Sequence, residues 1–176
     1  MLYPAAQRDL LVRLAQAGLF RGRWTERILE EMVVAIGRRQ PELIGRLERT
    51  RRLMCEGVPD CLVEGYEHLI DALNLPDPDD RHVLAAAIRC GAQVIVTENV
   101  RDFPTDILDE YGIELQTADQ FLVHLVDLRP TVIAATLQRQ VDALRHPPQS
   151  LDDVLMTLER SGLRRSVAEL RIQLRS

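Results

Sequence analysis

Apolar residues recur every three or four positions along much of the chain, which is the spacing of one face of an α-helix. The pattern predicts a helix from Ala5 to Ala17, ended by Gly18, and a second helix with Thr25 as its N-cap. Pro41 opens a third predicted helix, because proline is favoured in the first helical turn. The first sixty residues are therefore predicted to be mainly helical.

The stretch from Leu75 to Pro104 has a different pattern. The turn PDPD precedes an alanine-rich helix, with Asp79 or Asp80 as its predicted N-cap. The β-branched run from Gln93 to Thr97 is short enough for a buried parallel strand, and Ile113–Leu115 is the next predicted strand. Alternation of helices with short apolar strands predicts an α/β fold, a parallel sheet flanked by crossover helices.

After Thr117 the predicted strands cease, and the tail of the chain is helical. The linker HPPQS separates two predicted helices from two more, and Ser150 with Asp153 has the spacing of a capping box. We place a domain boundary near residue 128. The expected organisation is an α/β domain over residues 1–128 and a helical C-terminal extension over residues 129–176.

Composition narrows the class of protein. The 176 residues are 46% hydrophobic and 28% charged, as in a folded globular chain. No apolar stretch approaches the roughly 20 residues that cross a bilayer, and the N-terminus lacks the pattern of a secretory leader. Three cysteines without CxxC spacing favour reduced thiols. We therefore expect a cytoplasmic location and no membrane partner.

The charge pattern does not decide whether the basic residues contact nucleic acid. A net charge of −5 argues against coating of nucleic acid by bulk electrostatics, although all 22 basic residues are arginine. The densest basic patch lies on the third predicted helix, at Arg46, Arg49, Arg51 and Arg52. This patch is either a solvated helix face or a contact for an RNA backbone.

Carboxylates at the ends of predicted elements are the candidate chemistry. Asp80 precedes the alanine-rich helix, and Asp102 follows the strand Gln93–Thr97, at the edge where parallel sheets bind ligands. Hard oxygen donors of this kind suit Mg²⁺ or Mn²⁺ and do not suit zinc. A simpler interpretation is that Asp79 or Asp80 caps one helix and Asp102 caps the next, each contributing about 1 kcal/mol.

The stretch DDRHVLAAAIRCGAQVIVTENVRDFP resembles the second half of a PIN domain, the nuclease fold of bacterial VapC-type toxins. In that family an acid precedes an alanine-rich helix, and a T-x-N-x-x-D-F element follows the next strand. The matching residues here are Asp80, Thr97, Asn99, Asp102 and Phe103. The resemblance covers about residues 2–120, and the helical tail resembles, more weakly, that of extended members of one subgroup.

The resemblance also selects a residue in the second predicted helix. The segment from LYPAAQ to LEEM resembles the first helices of a PIN subgroup, in which an acid directly before a large apolar residue belongs to the metal site. That register selects Glu31, before Met32. A helical wheel alone leaves Glu30 and Glu31 equivalent, because they flank the apolar stripe almost symmetrically.

The resemblance implies a Mg²⁺- or Mn²⁺-dependent endoribonuclease, the toxin of a VapBC-type toxin–antitoxin pair. Its partners would be an RNA substrate and a protein antitoxin, and a homo-oligomer is left open. Glu31, Asp80 and Asp102 would hold the metal, with Asp79 a weaker candidate. Thr97 and Asn99 would orient ligands or the scissile phosphate.

The N-terminus departs from the family pattern. The family's first strand ends in a metal-binding Asp shortly before a stretch like LYP, whereas this chain begins MLYP. We expect either a start codon assigned too far downstream or a truncated, catalytically inactive relative that binds an antitoxin or another partner. A third alternative is an unrelated doubly wound domain for a small phosphorylated ligand, although the glycine cradle expected of such a site is not found.

Overall fold

The structure is a computed structural model that describes residues 4–174. These residues form two compact units. One unit comprises residues 22–117. The other combines residues 4–21 with residues 118–174. The expectation about a strand before LYP concerns sequence outside the described residues. The domain boundary near residue 128 stays a prediction. The two compact units are instead divided after residue 21 and after residue 117.

Within residues 4–174 the fold has nine α-helices, two strands and several short 3-10 helices. In chain order the helices and strands are α1 (Ala5–Gln16), α2 (Glu26–Arg39), α3 (Ile44–Gly57), α4 (Arg81–Cys90), β1 (Val94–Val96), α5 (Thr105–Asp109), β2 (Glu114–Gln116), α6 (Ala118–Leu128), α7 (Pro130–Ala143), α8 (Leu151–Arg160) and α9 (Arg164–Gln173).

The sheet that we describe is parallel and lies in the first unit. β1 pairs with β2 so that Ile95 lies opposite Leu115, and α5 connects the two strands. Trp24 and Leu62 form a separate parallel bridge. The predicted strands are confirmed, each within a residue or two of its predicted limits. Parallel strands joined through a helix are the arrangement expected of an α/β fold.

The alanine triplet explains how α4 packs. Ala85, Ala86 and Ala87 are buried with Leu84 in one core that also contains Phe103. Small side chains let a helix backbone lie close to its neighbours, and Gly91 ends the helix in the left-handed conformation at φ 64°. This packing holds the N-terminus of α4 in place, which matters because Asp80 stands there.

The second unit is entirely helical, apart from one isolated bridge between Arg145 and Pro148. α1 packs on α7 and α8, and α6 packs on α9. The Asp119 carboxylate accepts hydrogen bonds from the backbone N–H groups of Arg165 (3.0 Å) and Ser166 (2.9 Å) and from the Ser166 hydroxyl (2.7 Å). A side chain from α6 therefore satisfies the free N–H groups at the start of α9.

Two predicted N-caps are confirmed. The Thr25 hydroxyl accepts from Ile28 N–H at 3.1 Å, and Ser150 and Asp153 form the full capping box of α8. Hydrogen bonds from the Ser150 hydroxyl and then from its backbone N–H lower the pKa of Asp153.

Ser150→Ala is therefore expected to lower the free energy of unfolding by about 1 kcal/mol, since it removes one half of the capping box. Urea denaturation checks this, with Ser161→Ala as a control at the opposite end of α8. An unchanged midpoint for Ser150→Ala would contradict the capping role.

The third predicted helix starts later than expected. The segment opened by Pro41 is a 3-10 turn before α3 begins at Ile44. A further 3-10 helix, Glu67–Ala72, lies between α3 and α4 in the chain. None of the helices in residues 4–174 is both long enough and apolar enough to cross a membrane.

Candidate metal centre

Three carboxylates of the first unit converge on one small region. One oxygen from each of Asp77, Asp80 and Asp102 lies within 4.8 Å of the other two. All three residues are partly exposed, so that solvent reaches the cluster. The sequence predicted that Asp80 and Asp102 would come together, and the structure places them so.

Asp77 was missed, and its position also changes the expected helix cap. Its Oδ1 accepts from the Asp79 N–H at 2.9 Å and so caps the 3-10 turn Pro78–Asp80. Asp80 follows at the N-cap position of α4, but its side chain makes no capping hydrogen bond. The predicted N-cap position of Asp80 is therefore confirmed, but the expectation that its side chain, or that of Asp79, caps this helix is wrong. The signal in the sequence that could have identified Asp77 was the PDPD turn. A 3-10 turn at this point places Asp77 and Asp80, three positions apart, on the same side of the turn.

Asp102 is likewise not a helix cap. It ends a 3-10 turn, Val100–Asp102, that follows β1. The next helix, α5, has Pro104 at its N-cap position and no capping side chain. Because neither the Asp80 nor the Asp102 carboxylate caps a helix, both carboxylates can bind a ligand.

Asn99 and Thr97 join the strand to this cluster. Asn99 Nδ2 donates to Asp80 Oδ2 at 3.0 Å, and the Asn99 backbone N–H donates to Thr97 Oγ1 at 3.1 Å. Thr97 is only 4% exposed, and its own N–H donates to the Gln116 carbonyl of β2 at 2.9 Å. A chain of hydrogen bonds thus ties the Asp80 carboxylate to the edge of the sheet.

Glu31 lies outside the group of three aspartates. On α2 its Oε1 lies 3.0 Å from Arg27 Nε and 3.1 Å from His82 Nε2. Its charge nevertheless contributes to the electrostatics of Asp80. Asp79 is exposed and is not in the group either, and its carbonyl oxygen lies 3.5 Å from Arg27 Nη2.

The electrostatics of the cluster are unfavourable without a cation. Partial burial, then the negative charges of Asp77 and Asp102, and to a smaller extent that of Glu31, raise the pKa of Asp80. Like charges held this close destabilise one another unless a cation or a proton neutralises them. Carboxylates with access to water are the donor set that Mg²⁺ and Mn²⁺ prefer, so the residues present fit such an ion.

The arginine patch of α3 is partly neutralised. Arg51 forms an ion pair with Glu26 of α2 and lies 3.9 Å from Glu48, and Arg52 Nε lies 3.6 Å from Glu56. Two of its four arginines therefore have acidic partners within this unit, which favours the interpretation of a solvated, ion-paired helix face.

Comparison with known proteins shows the family to which the chain belongs. The family model described as "PIN domain" matches residues 1–101, and the chain belongs to that family. A second model, described as "VapC50 C-terminal domain", matches residues 118–172. The predicted PIN-type α/β fold with a C-terminal helical extension is confirmed. The site residues stay predictions, supported by the geometry above.

One curated relative gives a closer comparison. The chain is 42% identical over 92 residues to "Putative ribonuclease VapC50" of Mycobacterium tuberculosis, a match that covers 52% of this chain and 54% of the relative. The chain thus matches about half the length of that protein. No solved structure matches the chain.

Proposed function

We propose that the chain is a divalent-metal-dependent endoribonuclease and acts in the cytoplasm as the toxin of a VapBC-type pair. The observation that carries this proposal is the convergence of Asp77, Asp80 and Asp102 in a chain of the PIN family. The similarity to a protein named as a ribonuclease supports RNA as the substrate. A protein antitoxin is the expected partner.

Asp77, Asp80 and Asp102 would hold Mg²⁺ or Mn²⁺, with Glu31, whose charge acts on Asp80, as a further candidate. When bound, such an ion lowers the pKa of water and neutralises charge on a phosphate undergoing substitution. Asn99 fixes the orientation of the Asp80 carboxylate through its 3.0 Å hydrogen bond. Thr97 fixes Asn99 in turn, so the two residues act by positioning rather than by contact with the phosphate.

Asp102→Asn tests the function with little change of shape. We expect the unaltered chain to cut a pool of structured RNA internally in the presence of Mn²⁺, and we expect a chelator or Asp102→Asn to abolish the cutting. Asp106→Asn on α5 is the matched control and should cut as the unaltered chain does, because Asp106 is exposed and outside the cluster.

The same variants test the toxin role. Induced expression should arrest bacterial growth, and Asp102→Asn should relieve the arrest. Growth arrest by Asp102→Asn, with no RNA cleavage by either form, would instead support the non-catalytic alternative, a PIN-fold protein that acts by binding a partner. RNA cleavage that resists the chelator would contradict metal dependence.

A further inference from the structure

A buried histidine contacts Glu31 from the opposite helix. His82 is on the first turn of α4, its side chain is 1% exposed, and Nε2 lies 3.1 Å from Glu31 Oε1. The Glu31 side chain is 44% exposed. A fully buried imidazole therefore points a nitrogen at a carboxylate that solvent also reaches.

Packing alone does not account for the imidazole. Neither ring nitrogen of His82 has an aligned hydrogen bond among residues 4–174, although Nε2 is at hydrogen-bonding distance from Glu31. A buried polar group without such a bond destabilises the folded state, and an apolar side chain of similar size avoids that cost. The contact with Glu31 is the polar interaction that the ring has in this position.

The contact leaves one oxygen of Glu31 for other partners. Arg27 Nε and His82 Nε2 both approach Oε1, at 3.0 Å and 3.1 Å. Arg27 Nε donates a hydrogen bond to this oxygen, and the close approach of His82 Nε2 restricts the carboxylate further. Oε2 is the oxygen that these two contacts do not use.

We propose that His82 is a positioning residue of the metal centre. With Arg27 it holds Oε1 of Glu31, and so it would fix the carboxylate whose charge acts on Asp80, beside the group of Asp77, Asp80 and Asp102 that would hold the ion. The imidazolium and the neutral tautomer that is protonated at Nε2 both present an N–H to Glu31. This inference rests on the proposed metal centre and adds to it a residue that acts only through Glu31.

The test is a double-mutant comparison read out by Mn²⁺ affinity, measured calorimetrically on the full chain without RNA. His82→Leu removes the donor and should weaken Mn²⁺ binding about tenfold, the usual effect of losing a partner behind a metal ligand. His82→Gln can place an amide N–H near the position of Nε2 and should recover most of the affinity. His68→Leu, at an exposed histidine of the same unit, should change nothing.

The decisive comparison is between the Glu31→Gln variant and the same variant carrying His82→Leu as well. If His82 acts through the Glu31 carboxylate, adding His82→Leu to Glu31→Gln should weaken Mn²⁺ binding by less than twofold. An equal tenfold loss in both backgrounds would overturn the proposal, as would His82→Gln binding no better than His82→Leu. Melting temperatures, measured without metal, separate these results from a general loss of fold.

The outcome is distinguishable from failure of the proposed function. If Mn²⁺ binds and the couplings appear as expected but no RNA is cut, the ribonuclease proposal fails and the positioning role of His82 stands. If the unaltered chain binds no Mn²⁺, or Asp80→Asn binds it equally well, the metal centre fails and the His82 proposal fails with it.

Discussion

Asp80→Asn is expected to abolish metal-dependent RNA cleavage, with a loss of at least about 100-fold, because the charge stabilisation supplied by a bound ion is worth several kcal/mol. The amide keeps an oxygen that can still accept from Asn99, so the local structure should persist. RNA cleavage and Mn²⁺ affinity are the measurements. Asp79→Asn is the matched control, one residue away and outside the three-carboxylate group, and should cleave as the unaltered chain does.

The same substitution should stabilise the protein when no metal is present. Because the pKa of Asp80 is raised in the folded chain, the folded state binds its proton more tightly than the unfolded state does. Stability from this group is therefore present at low pH and is lost as pH rises from the ordinary range of an Asp through the raised pKa. Asparagine carries no charge, so Asp80→Asn should melt at a higher temperature than the unaltered chain at neutral pH.

Near pH 3 this advantage should vanish, because the Asp80 carboxyl is then protonated in both the folded and the unfolded state. A variant that loses stability and activity together at neutral pH would indicate that Asp80 acts as a helix cap after all. Added Mn²⁺ should raise the melting temperature of the unaltered chain and of Asp79→Asn, but not that of Asp80→Asn.

Removal of residues 129–176 is expected to unfold the helical unit. α1 would lose α7 and α8, and α6 would lose α9, which are the helices against which they pack. Leu10, Leu14 and Leu122 are fully buried and would become exposed. The shortened chain should lose the helical signal of α1 and α6 as well as that of the deleted residues, as measured by circular dichroism per residue.

A pair of single substitutions refines this test. Leu158→Ala removes a side chain that is 0% exposed and should cost about 2–5 kcal/mol. Met156→Ala, two residues away and 40% exposed, should cost much less. A shortened chain that kept the stability of the full chain and the helical signal of α1 and α6 would contradict a structural role for the extension.

Local signals in the sequence were sufficient where one residue determines the structure. Thr25 and Ser150 predicted the helix starts that are observed, because a hydroxyl cap acts on its own turn. The two short strands were also predictable, since β-branched runs of that length between helices are typical of parallel sheets. These features depend on neighbours in the sequence.

The site was harder because its members are brought together from distant positions. Asp77 belongs to the cluster only because the PDPD turn folds back as 3-10 helix, which no periodicity indicates. Periodicity was equally unable to separate Glu30 from Glu31. In the folded chain they have different surroundings, because Glu30 lies 3.9 Å from Arg51 whereas Glu31 contacts His82. His82 stands alone in the sequence, and only its distance to Glu31 suggests a role beyond packing.

The most direct measurement of the central claim is the anomalous scattering of Mn²⁺ in crystals of the full chain grown with that ion. We predict one strong peak about 2.0–2.3 Å from carboxylate oxygens of Asp77, Asp80 and Asp102, within the usual range for hard divalent ions and oxygen ligands. The peak should be absent in crystals of Asp80→Asn grown in the same way. A peak on other carboxylates, such as Glu26 and Glu48 beside Arg51, with none at the three aspartates, would contradict the assignment of this site.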